Sequence, residues 1–220
     1  MTDILKQIAI CIEQGKTDTK SPFPPQLKGQ DGADELTKKA LEEGIKASEI
    51  LEHALVPAMG AVGARFRDKQ IFVPQVLMSA KAMNMALAHL KPYFSSGDLK
   101  KKGTVIIGTV AGDLHDIGKN LVSMMIEGAG WDLIDLGVDV KTDKFAEALN
   151  EHSGSVLALS ALLTTTMAAM EQTVKIIKAS NPLQKIMIGG APVSQAFCNQ
   201  IGADFYSNGP QGAVEYLATL

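Results

Sequence analysis

An aspartate and a histidine two residues apart are the most chemically distinctive feature of the sequence. Asp113 and His115 lie in the stretch GDLHDIGKN, 112–120, directly after a short apolar run. In an extended segment, residues two apart project to the same side. A carboxylate beside a histidine accepts a hydrogen bond from one ring nitrogen and leaves the other free as a base or a metal ligand. Ser160, at the end of a later apolar run, is a candidate to hydrogen-bond the carboxylate in turn.

Several kinds of site fit these residue types. A hydrolytic triad of serine, histidine and aspartate needs an activated serine, and the sequence contains no G-x-S-x-G elbow to present one. A zinc or iron site needs about three protein ligands, and only His115 and nearby carboxylates are on offer. A third interpretation is a single axial ligand to a metal that brings its own equatorial ring. The alternative without function is a strand-end histidine that pairs with an N-cap aspartate.

The second half of the chain reads as alternating strands and helices. Helical patterns separate its apolar runs, and a further helix is predicted from about 210 to the end. This alternation predicts a parallel sheet with helices on both faces. Five strands favour the flavodoxin-like order 2-1-3-4-5, a Rossmann-like α/β architecture. The predicted strands are 104–110, 131–137, 155–162, 185–190 and, more weakly, 203–208.

The predicted strand order brings the polar stretches together. Open parallel sheets bind ligands at the carboxyl ends of their strands, where the strand order reverses, and here that point lies between strands 1 and 3. The stretch 112–118 follows strand 1, and SALLTTT, 160–166, ends strand 3. GGAP, 189–192, ends the neighbouring strand 4. The three stretches are therefore expected to line one crevice.

The first half of the chain reads as a helical bundle. Apolar residues of 1–95 recur roughly every three to four positions, as on one face of a helix. The stretch 15–32 is rich in proline, glycine and polar residues and predicts a long irregular connection. Residues 96–103 read as a linker, which leaves 104–220 as the α/β domain.

Composition excludes several classes of protein. The chain of 220 residues is 46% hydrophobic and 5% aromatic, with a formal net charge of -3, whereas nucleic-acid binders usually carry a basic excess. No apolar run approaches the roughly 20 residues of a membrane span, and the N-terminus lacks the apolar core of a signal peptide. A cytoplasmic protein without membrane or nucleic-acid partners is therefore expected. Cys11 and Cys198 are far apart and are expected to be free thiols.

Three parts of the sequence together match a known signature. D-x-H-x-x-G stands at 113–118; S-A-L follows at 160–162, after 41 residues, and G-G at 189–190, after 26 more. The pattern resembles the D-x-H-x-x-G, S-x-L and G-G signature of the cobalamin-binding domain of methionine synthase and of the corrinoid methyl-carrier proteins. The resemblance covers essentially the whole chain, because 1–95 is similar to the capping helical bundle of that family.

The resemblance implies roles for individual residues of the α/β domain. His115 takes the lower axial position on the cobalt of cobalamin or a related corrinoid, after the tail of the cofactor leaves the metal and enters a slot in the domain. Asp113 and Ser160 form the hydrogen-bonded chain behind the histidine. Glycines allow close approach of the tail, and threonine hydroxyls face the cofactor, although Thr166 is also placed to cap a helix. The further contacts implied are Gly112, Asp116, Ile117, Gly118, Leu162, Thr164, Thr165, Thr166, Gly189, Gly190 and Gly209.

The resemblance also implies apolar residues in the cap that shield the methyl group on cobalt. By position these are Phe66, Val73 and Val76. The alternative for each of them is ordinary bundle core. Phe66 lies between Arg65 and Arg67 at the end of a helical run, a poor place for a core phenylalanine, so the cap role is preferred for it.

The function implied is that of a methyl carrier without catalytic residues of its own. Such a corrinoid protein receives a methyl group on cobalt from a donor-specific methyltransferase and passes it to a second methyltransferase that acts on a folate or thiol acceptor. A reductive activase is expected as a further partner. The methyl donor stays open among methanol, methylamines, betaines and aryl methyl ethers. The alternative is a cobalamin-dependent sensor or regulatory module, but such proteins usually carry a DNA-binding or signalling domain in the same chain.

Overall fold

The computed structural model describes residues 2–96 and 99–220, and the chain forms two compact units. The boundary between them follows Lys101 in the chain. Within the predicted linker, 96–103, Ser96 is the last residue of a helix, and Gly97 and Asp98 lie outside the described residues. The first unit contains Met1–Lys101 and Gly128–Gly130, and the second contains Lys102–Glu127 and Trp131–Leu220.

The first unit is helical, as the apolar periodicity predicts. Its buried side chains include Ile8, Ile12, Leu55 and Leu90, so the apolar stripes of separate helices share one interior. The third and fourth helices are joined without a break by a π-helical segment, Leu51–Leu55. The α-helices are α1 (Asp3–Gln14), α2 (Ala33–Glu42), α3 (Ala47–Ile50), α4 (Val56–Arg67) and α5 (Val73–Ser96).

The irregular connection at 15–32 contains one short 3-10 turn, Pro25–Leu27, and is anchored by buried polar groups. Lys16 is fully buried, and its Nζ donates a hydrogen bond to the carbonyl of Ser21 at 3.0 Å. The carboxylate of Glu35 accepts from the backbone N–H groups of Thr19 and Gly32, both at 2.9 Å. These bonds give a segment without regular structure a defined path.

The second unit contains a five-stranded parallel sheet in the order β2-β1-β3-β4-β5, which confirms the predicted fold class and strand order. Most strands are a residue or two shorter at an end than the apolar runs predict. Gly137 and Gly190, with φ of 87° and 132°, leave the extended conformation just where the predicted second and fourth strands were expected to end. The strands are β1 (Thr104–Thr109), β2 (Asp132–Asp135), β3 (Val156–Ser160), β4 (Ile186–Gly189) and β5 (Phe205–Ser207).

Helices follow each strand of this unit, as the alternation predicts. One face of the sheet packs Ile106 and Leu157 against Phe145, Met170 and Val174. Because neighbouring residues of β1 and β3 are also buried, the central strands are covered on both faces. The helices are α6 (Ile117–Gly128), α7 (Thr142–Glu151), α8 (Met167–Ser180), α9 (Gln195–Ile201) and α10 (Pro210–Leu217), with a 3-10 turn at Thr164–Thr166.

The single tryptophan of the sequence closes the end of the sheet where β1 begins. Trp131 is 9% exposed, and its ring lies over Gly103, where a Cβ would come within 2.5 Å of the indole. The N–H of Asp132 donates to the carbonyl of Gly103 at 2.8 Å. Position 103 therefore needs glycine for packing.

Candidate functional site

The aspartate and histidine predicted to act together are in contact. The Nδ1 of His115 lies 2.7 Å from Oδ1 of Asp113, and the backbone N–H of His115 donates to the same oxygen at 3.1 Å. The Asp113 side chain is fully buried, whereas that of His115 is 50% exposed. The pair thus joins a fixed interior carboxylate to an imidazole at the surface of the unit.

The second carboxylate oxygen of Asp113 is held from β3 and the turn that follows it. Oδ2 accepts from the N–H of Leu162 at 2.7 Å, the N–H of Leu163 at 3.3 Å and the hydroxyl of Thr166 at 2.8 Å. Burial by itself would raise the pKa of Asp113, but these hydrogen bonds and those from His115 outweigh it and hold the pKa well below its usual value. The carboxylate is therefore ionised and acts only as an acceptor.

The charge of Asp113 fixes which ring nitrogen of His115 is free. Since an ionised carboxylate cannot donate, the hydrogen in the short contact belongs to Nδ1. The neutral imidazole then carries its lone pair on Nε2. A carboxylate on one ring nitrogen and a metal on the other is the usual arrangement of metal-ligating histidines.

One predicted contact of Asp113 is corrected by the structure. Within the described residues, Ser160 makes no hydrogen bond to this carboxylate; the hydroxyl that it accepts is that of Thr166. The chain turns after β3, so that the amides of Leu162 and Leu163, and then Thr166, reach the carboxylate. Thr166 stands at the N-cap of α8, as its alternative role predicts, but its side chain makes no capping hydrogen bond. Ser160 stays a predicted contact of the cofactor.

The loop that carries His115 is tied to the end of β1. The buried hydroxyl of Thr109 donates to the carbonyl of His115 at 2.9 Å, and the N–H of Asp113 donates to the carbonyl of Val110 at 3.1 Å. Gly112 has a φ of 81°, a left-handed conformation that glycine adopts without strain. The sequence reasoning missed Thr109, although a threonine at the end of a buried strand is a recognisable anchor for the loop that follows.

Four large apolar side chains of the segments that follow β1 and β3 are not buried. Leu114 and Ile117 are 73% and 75% exposed, and Leu162 and Leu163 are 42% and 41% exposed. Apolar groups clustered at a surface mark a place where a ligand or partner binds. Leu114 and Leu163 were not predicted. Leu114 has a visible signal, because it is an apolar residue within the polar stretch GDLHD, whereas Leu163 only continues the apolar sequence at the end of β3.

The predicted glycines differ in what holds them. Gly190 has a φ of 132°, and a Cβ there would lie 1.8 Å from the carbonyl oxygen of Ala161, so the protein itself requires glycine. A Cβ on Gly189 would meet the carbonyl of Ser207 at 3.1 Å. At Gly118 and Gly209 nothing lies within 4 Å of an added Cβ, which leaves space for a ligand.

The remaining predicted residues keep their roles as predictions. Thr164 and Thr165 are exposed in the turn after β3, and Asp116 accepts a hydrogen bond from the side chain of Asn120 at 3.1 Å. In the helical unit, Phe66 and Val73 are half-buried and Val76 is fully buried. The burial of Val76 agrees with the core alternative.

The family of the chain follows from its comparison with known proteins. The model of the B12 binding domain matches residues 103–216, more than half of the chain and all of the site around His115. The chain belongs to this B12-binding family. A second B12-binding domain model matches residues 30–91, in the helical unit. The predicted resemblance to cobalamin-binding corrinoid proteins is thereby confirmed.

Individual members of the B12-binding family resemble the chain over most of its length. The dimethylamine corrinoid protein of Methanosarcina barkeri is 35% identical over 96% of this chain and 94% of its own. The trimethylamine corrinoid protein of the same organism is 38% identical over 83% and 86%. Among solved structures, a chain of its methanol:cobalamin methyltransferase complex superposes with a TM-score of 0.80, at 29% identity over 99% of this chain and 81% of that one.

The site fits the cofactor of the family. A corrinoid brings its own equatorial nitrogens and would need one further ligand from the chain, of the kind that a histidine paired through Nδ1 could supply. Across residues 2–96 and 99–220, no group of three or more histidine, cysteine or acidic side chains is placed to hold a metal ion. The exposed leucines and isoleucine match an apolar macrocycle. The protein binds cobalamin or a related corrinoid.

Among the helices described, none has both the length and the apolarity to cross a bilayer.

Proposed function

We propose that the protein is the methyl carrier of a methyltransferase system. In this role it takes a methyl group from a donor-specific methyltransferase and passes it to a second methyltransferase, which acts on a folate or thiol acceptor. The dimethylamine and trimethylamine corrinoid proteins and the methanol:cobalamin methyltransferase complex support a methyltransferase partner. Because these relatives differ in the substrate that their names give, they support the carrier role more than any one methyl donor.

The observation that carries the proposal is the orientation of His115. Its Nδ1 is committed to the ionised, buried Asp113, so its Nε2 is left to bind a metal from the surface side. Bound cobalt supplies the chemistry of accepting and releasing the methyl group. The chain supplies a ligand held in one tautomer and one direction. No general acid, base or nucleophile of the protein is needed for that role.

Other residues are proposed to receive the rest of the cofactor. The open space at Gly118 and Gly209 borders the slot for the tail, together with Gly189 and Gly190. Leu114, Ile117, Leu162 and Leu163 offer an apolar surface to the ring, with the Thr164 and Thr165 hydroxyls beside it. In the helical unit, Phe66 and Val73, with Val76 behind them, are proposed to keep water from the methyl group. A reductive activase is proposed as the partner that restores oxidised cofactor.

Electron paramagnetic resonance tests the ligand. The protein is produced with nitrogen-15 histidine, loaded with cobalamin and reduced to the Co(II) state. The expected spectrum has axial hyperfine splitting that changes with the label. The label-dependent splitting should be lost in His115→Ala and kept in His152→Ala. The second substitution is the control, because His152 is an exposed histidine at the C-terminal end of α7. A spectrum that ignores the label would show that no histidine is bound, and the assignment would be wrong.

Methyl transfer separates the carrier from a cobalamin sensor. The loaded protein is reduced chemically to the Co(I) state and incubated with methyltransferases encoded beside its gene and with candidate methyl donors. Methylation of the cofactor is followed by its absorption spectrum. Turnover with one donor and demethylation by a thiol or folate methyltransferase are expected of a carrier. Binding of adenosylcobalamin with a light-dependent change of oligomeric state, without methyl turnover, would identify a sensor instead.

A further inference from the structure

Asp139 lies beside the histidine loop but outside the motif that carries the family resemblance. It belongs to the turn between β2 and α7, two residues after Gly137. Its φ is 53°, in the left-handed region that few residues other than glycine enter and that aspartate and asparagine tolerate best. A residue kept there is held by its contacts, and such residues gather at functional sites.

Two hydrogen bonds of Asp139 reach the residues just before His115. Its Oδ1 accepts a hydrogen bond from the N–H of Gly112 at 2.7 Å. Its own N–H donates to the carbonyl of Asp113 at 2.9 Å. Side chain and backbone of one residue thus bond to two consecutive residues of the histidine loop.

Neighbouring bonds continue the same attachment along the chain. The N–H of Thr109 donates to the carbonyl of Gly137 at 3.0 Å, and the N–H of Val140 donates to the carbonyl of Thr109 at 2.9 Å. Val110 and Val140 form a parallel bridge. The turn after β2 therefore runs alongside the end of β1 and holds the backbone of the histidine loop on that side.

The two sides of the loop are held by different groups. From β3, Leu162 and Thr166 bond the carboxylate of Asp113, which in turn orients the imidazole. From β2, Asp139 bonds the backbone that carries this carboxylate. The direction of the imidazole depends on both, because a carboxylate can orient a ring only as well as its own backbone is fixed.

We propose that Asp139 is a positioning residue for His115. Its two hydrogen bonds fix the backbone of Gly112 and Asp113, and through Asp113 they fix the ring nitrogen that faces the metal. The role in the empty protein rests on the described hydrogen bonds alone, and its consequence for ligation rests on the proposed function.

Three substitutions separate the carboxylate from the backbone strain. Asp139→Gly removes the acceptor and relieves the left-handed conformation, whereas Asp139→Ala removes the acceptor and keeps the strain. Asp139→Asn removes the charge but keeps an oxygen acceptor and tolerates this φ. Asp143→Asn, at an exposed position of α7, controls for the loss of one negative charge nearby.

Hydrogen exchange of the corrinoid-free protein is the first measurement. Loss of the acceptor should speed exchange of the Gly112 amide roughly tenfold in both Asp139→Gly and Asp139→Ala. Asp139→Asn and Asp143→Asn should stay close to wild type. Because glycine loosens its own turn, exchange is compared at 112–116 and not at 137–140. Equal exchange of Gly112 in all variants would overturn the proposal.

Ligation in the loaded protein is the second measurement. In the Co(II) spectrum, Asp139→Gly and Asp139→Ala should show a smaller fraction of histidine-bound cobalt, and Asp139→Asn should retain the wild-type fraction. Histidine coupling that is present in the wild type and unchanged in Asp139→Gly overturns the role of Asp139 only. Coupling absent from the wild type overturns the ligand assignment of the proposed function, and the positioning of the histidine loop is then decided by the exchange of the Gly112 amide in the corrinoid-free protein.

Discussion

At the scale of residues, the site depends on a buried carboxylate whose charge is stabilised by hydrogen bonds from the protein. Asp113 accepts five hydrogen bonds, and its side chain has no exposed surface. Hydrogen bonds to an ionised group are stronger than those between neutral groups, and they replace the water that the carboxylate loses. An imidazole paired with such a group is favoured in the tautomer that carries its proton on Nδ1.

Thr166 supplies one of these bonds, and its removal has a predictable cost. Thr166→Val keeps the shape of the side chain but leaves the buried carboxylate with one donor fewer, so the free energy of unfolding should fall by about 1–3 kcal/mol. Thr166→Ser should retain most of the stability. Urea unfolding of the corrinoid-free protein measures both.

Ser160→Ala is the matched comparison, because Ser160 was the expected donor. It should change the free energy of unfolding by less than about 1 kcal/mol, since its hydroxyl does not bond Asp113 in the described structure. A larger loss for Ser160→Ala than for Thr166→Val would restore the original assignment.

Gly118 offers a test of a glycine kept for a ligand. Nothing lies within 4 Å of a Cβ built there, and the residue is in the first turn of α6. Gly118→Ala should therefore raise the free energy of unfolding of the corrinoid-free protein by about 0.5–1 kcal/mol, because alanine is the better helix former.

Gly118→Ala should also weaken the binding of cobalamin, because the alanine side chain would occupy the space proposed for the cofactor tail. Gly190→Ala is the contrast: it should destabilise the empty protein by about 3 kcal/mol or more, since the new Cβ meets a backbone carbonyl at positive φ. Unfolding and cobalamin titration of both variants measure the two effects. Gly118→Ala protein that binds cobalamin normally would count against a tail slot at this residue.

The sequence supports the residue assignments unevenly. Asp113 and His115 were predictable because they are two positions apart and both belong to one extended loop. It was not predictable that Thr166, and not Ser160, donates the hydroxyl hydrogen bond to Asp113, because this depends on how sharply the chain turns after β3. Asp139 carries no local signal of its role, since its two partners lie on another strand-end loop.

At the scale of elements, three consecutive strands of the sheet cooperate through their end loops. The loop after β1 carries the imidazole, the turn after β2 bonds its backbone, and the turn after β3 bonds its carboxylate. This arrangement requires β1 to lie between β2 and β3, as the order β2-β1-β3-β4-β5 provides. The geometry of the site therefore depends on the strand order of the sheet.

A second ionic cluster lies at the opposite end of the same sheet, where β4 and β5 begin. Asp204, just before β5, accepts from Nζ of Lys178 on α8 at 2.7 Å and from the N–H of Ile186 on β4 at 2.9 Å. Burial would raise the pKa of Asp204, but these bonds and the charges of Lys178 and Lys185 hold the pKa below its usual value. The folded state therefore favours the ionised form.

This shift predicts how stability depends on pH. A carboxylate with a lowered folded-state pKa stabilises the protein above its unfolded pKa of about 4, and the contribution is lost as the pH falls through the folded pKa. Asp204→Asn should lower the free energy of unfolding by about 1–2 kcal/mol at pH near 7, and the deficit should shrink toward pH of about 3. Urea unfolding across this range measures it, with Glu147→Gln, half of an exposed pair, as a near-neutral control. A deficit that does not shrink in acid would mean that packing, and not charge, explains it.

Elements were predicted well where an apolar pattern decides them and less well where tertiary contacts do. The strands and their order follow from short apolar runs that alternate with helices. Helix α5 continues through Pro92 to Ser96, the first residue of the predicted linker. The path of 15–32 depends on the buried Lys16, which no local periodicity indicates.

At the scale of the whole molecule, the proposed carrier role requires that the methyl group be protected and still be released to other proteins. The proposed shield and the proposed ligand belong to different units of the chain, with Phe66 in the helical unit and His115 in the sheet unit. In the proposed carrier role, the methyl group would therefore be shielded by one unit and the cobalt ligated by the other.

Photolysis measures the protection given by the helical unit. Light breaks the cobalt–methyl bond, and a closely packed shield favours its re-formation before the fragments separate. Phe66→Ala should therefore speed the photolysis of bound methylcobalamin. Phe72→Ala removes an aromatic ring that is 65% exposed and should leave the rate unchanged. Equal rates for wild type and Phe66→Ala would place Phe66 in the bundle core.

The fluorescence of Trp131 can report the binding of the cofactor. Because the sequence has one tryptophan, and because that indole is buried over Gly103 at the start of β1, ultraviolet emission comes from one known place in the sheet unit. Corrinoids absorb across the wavelengths at which indole emits, and a domain of this size is only about 30 Å across, so energy transfer to a bound corrin is efficient at any point of the unit. Loading of the cofactor can thus be followed as a loss of fluorescence, without a label and at concentrations too low for the colour of the corrin itself to be seen.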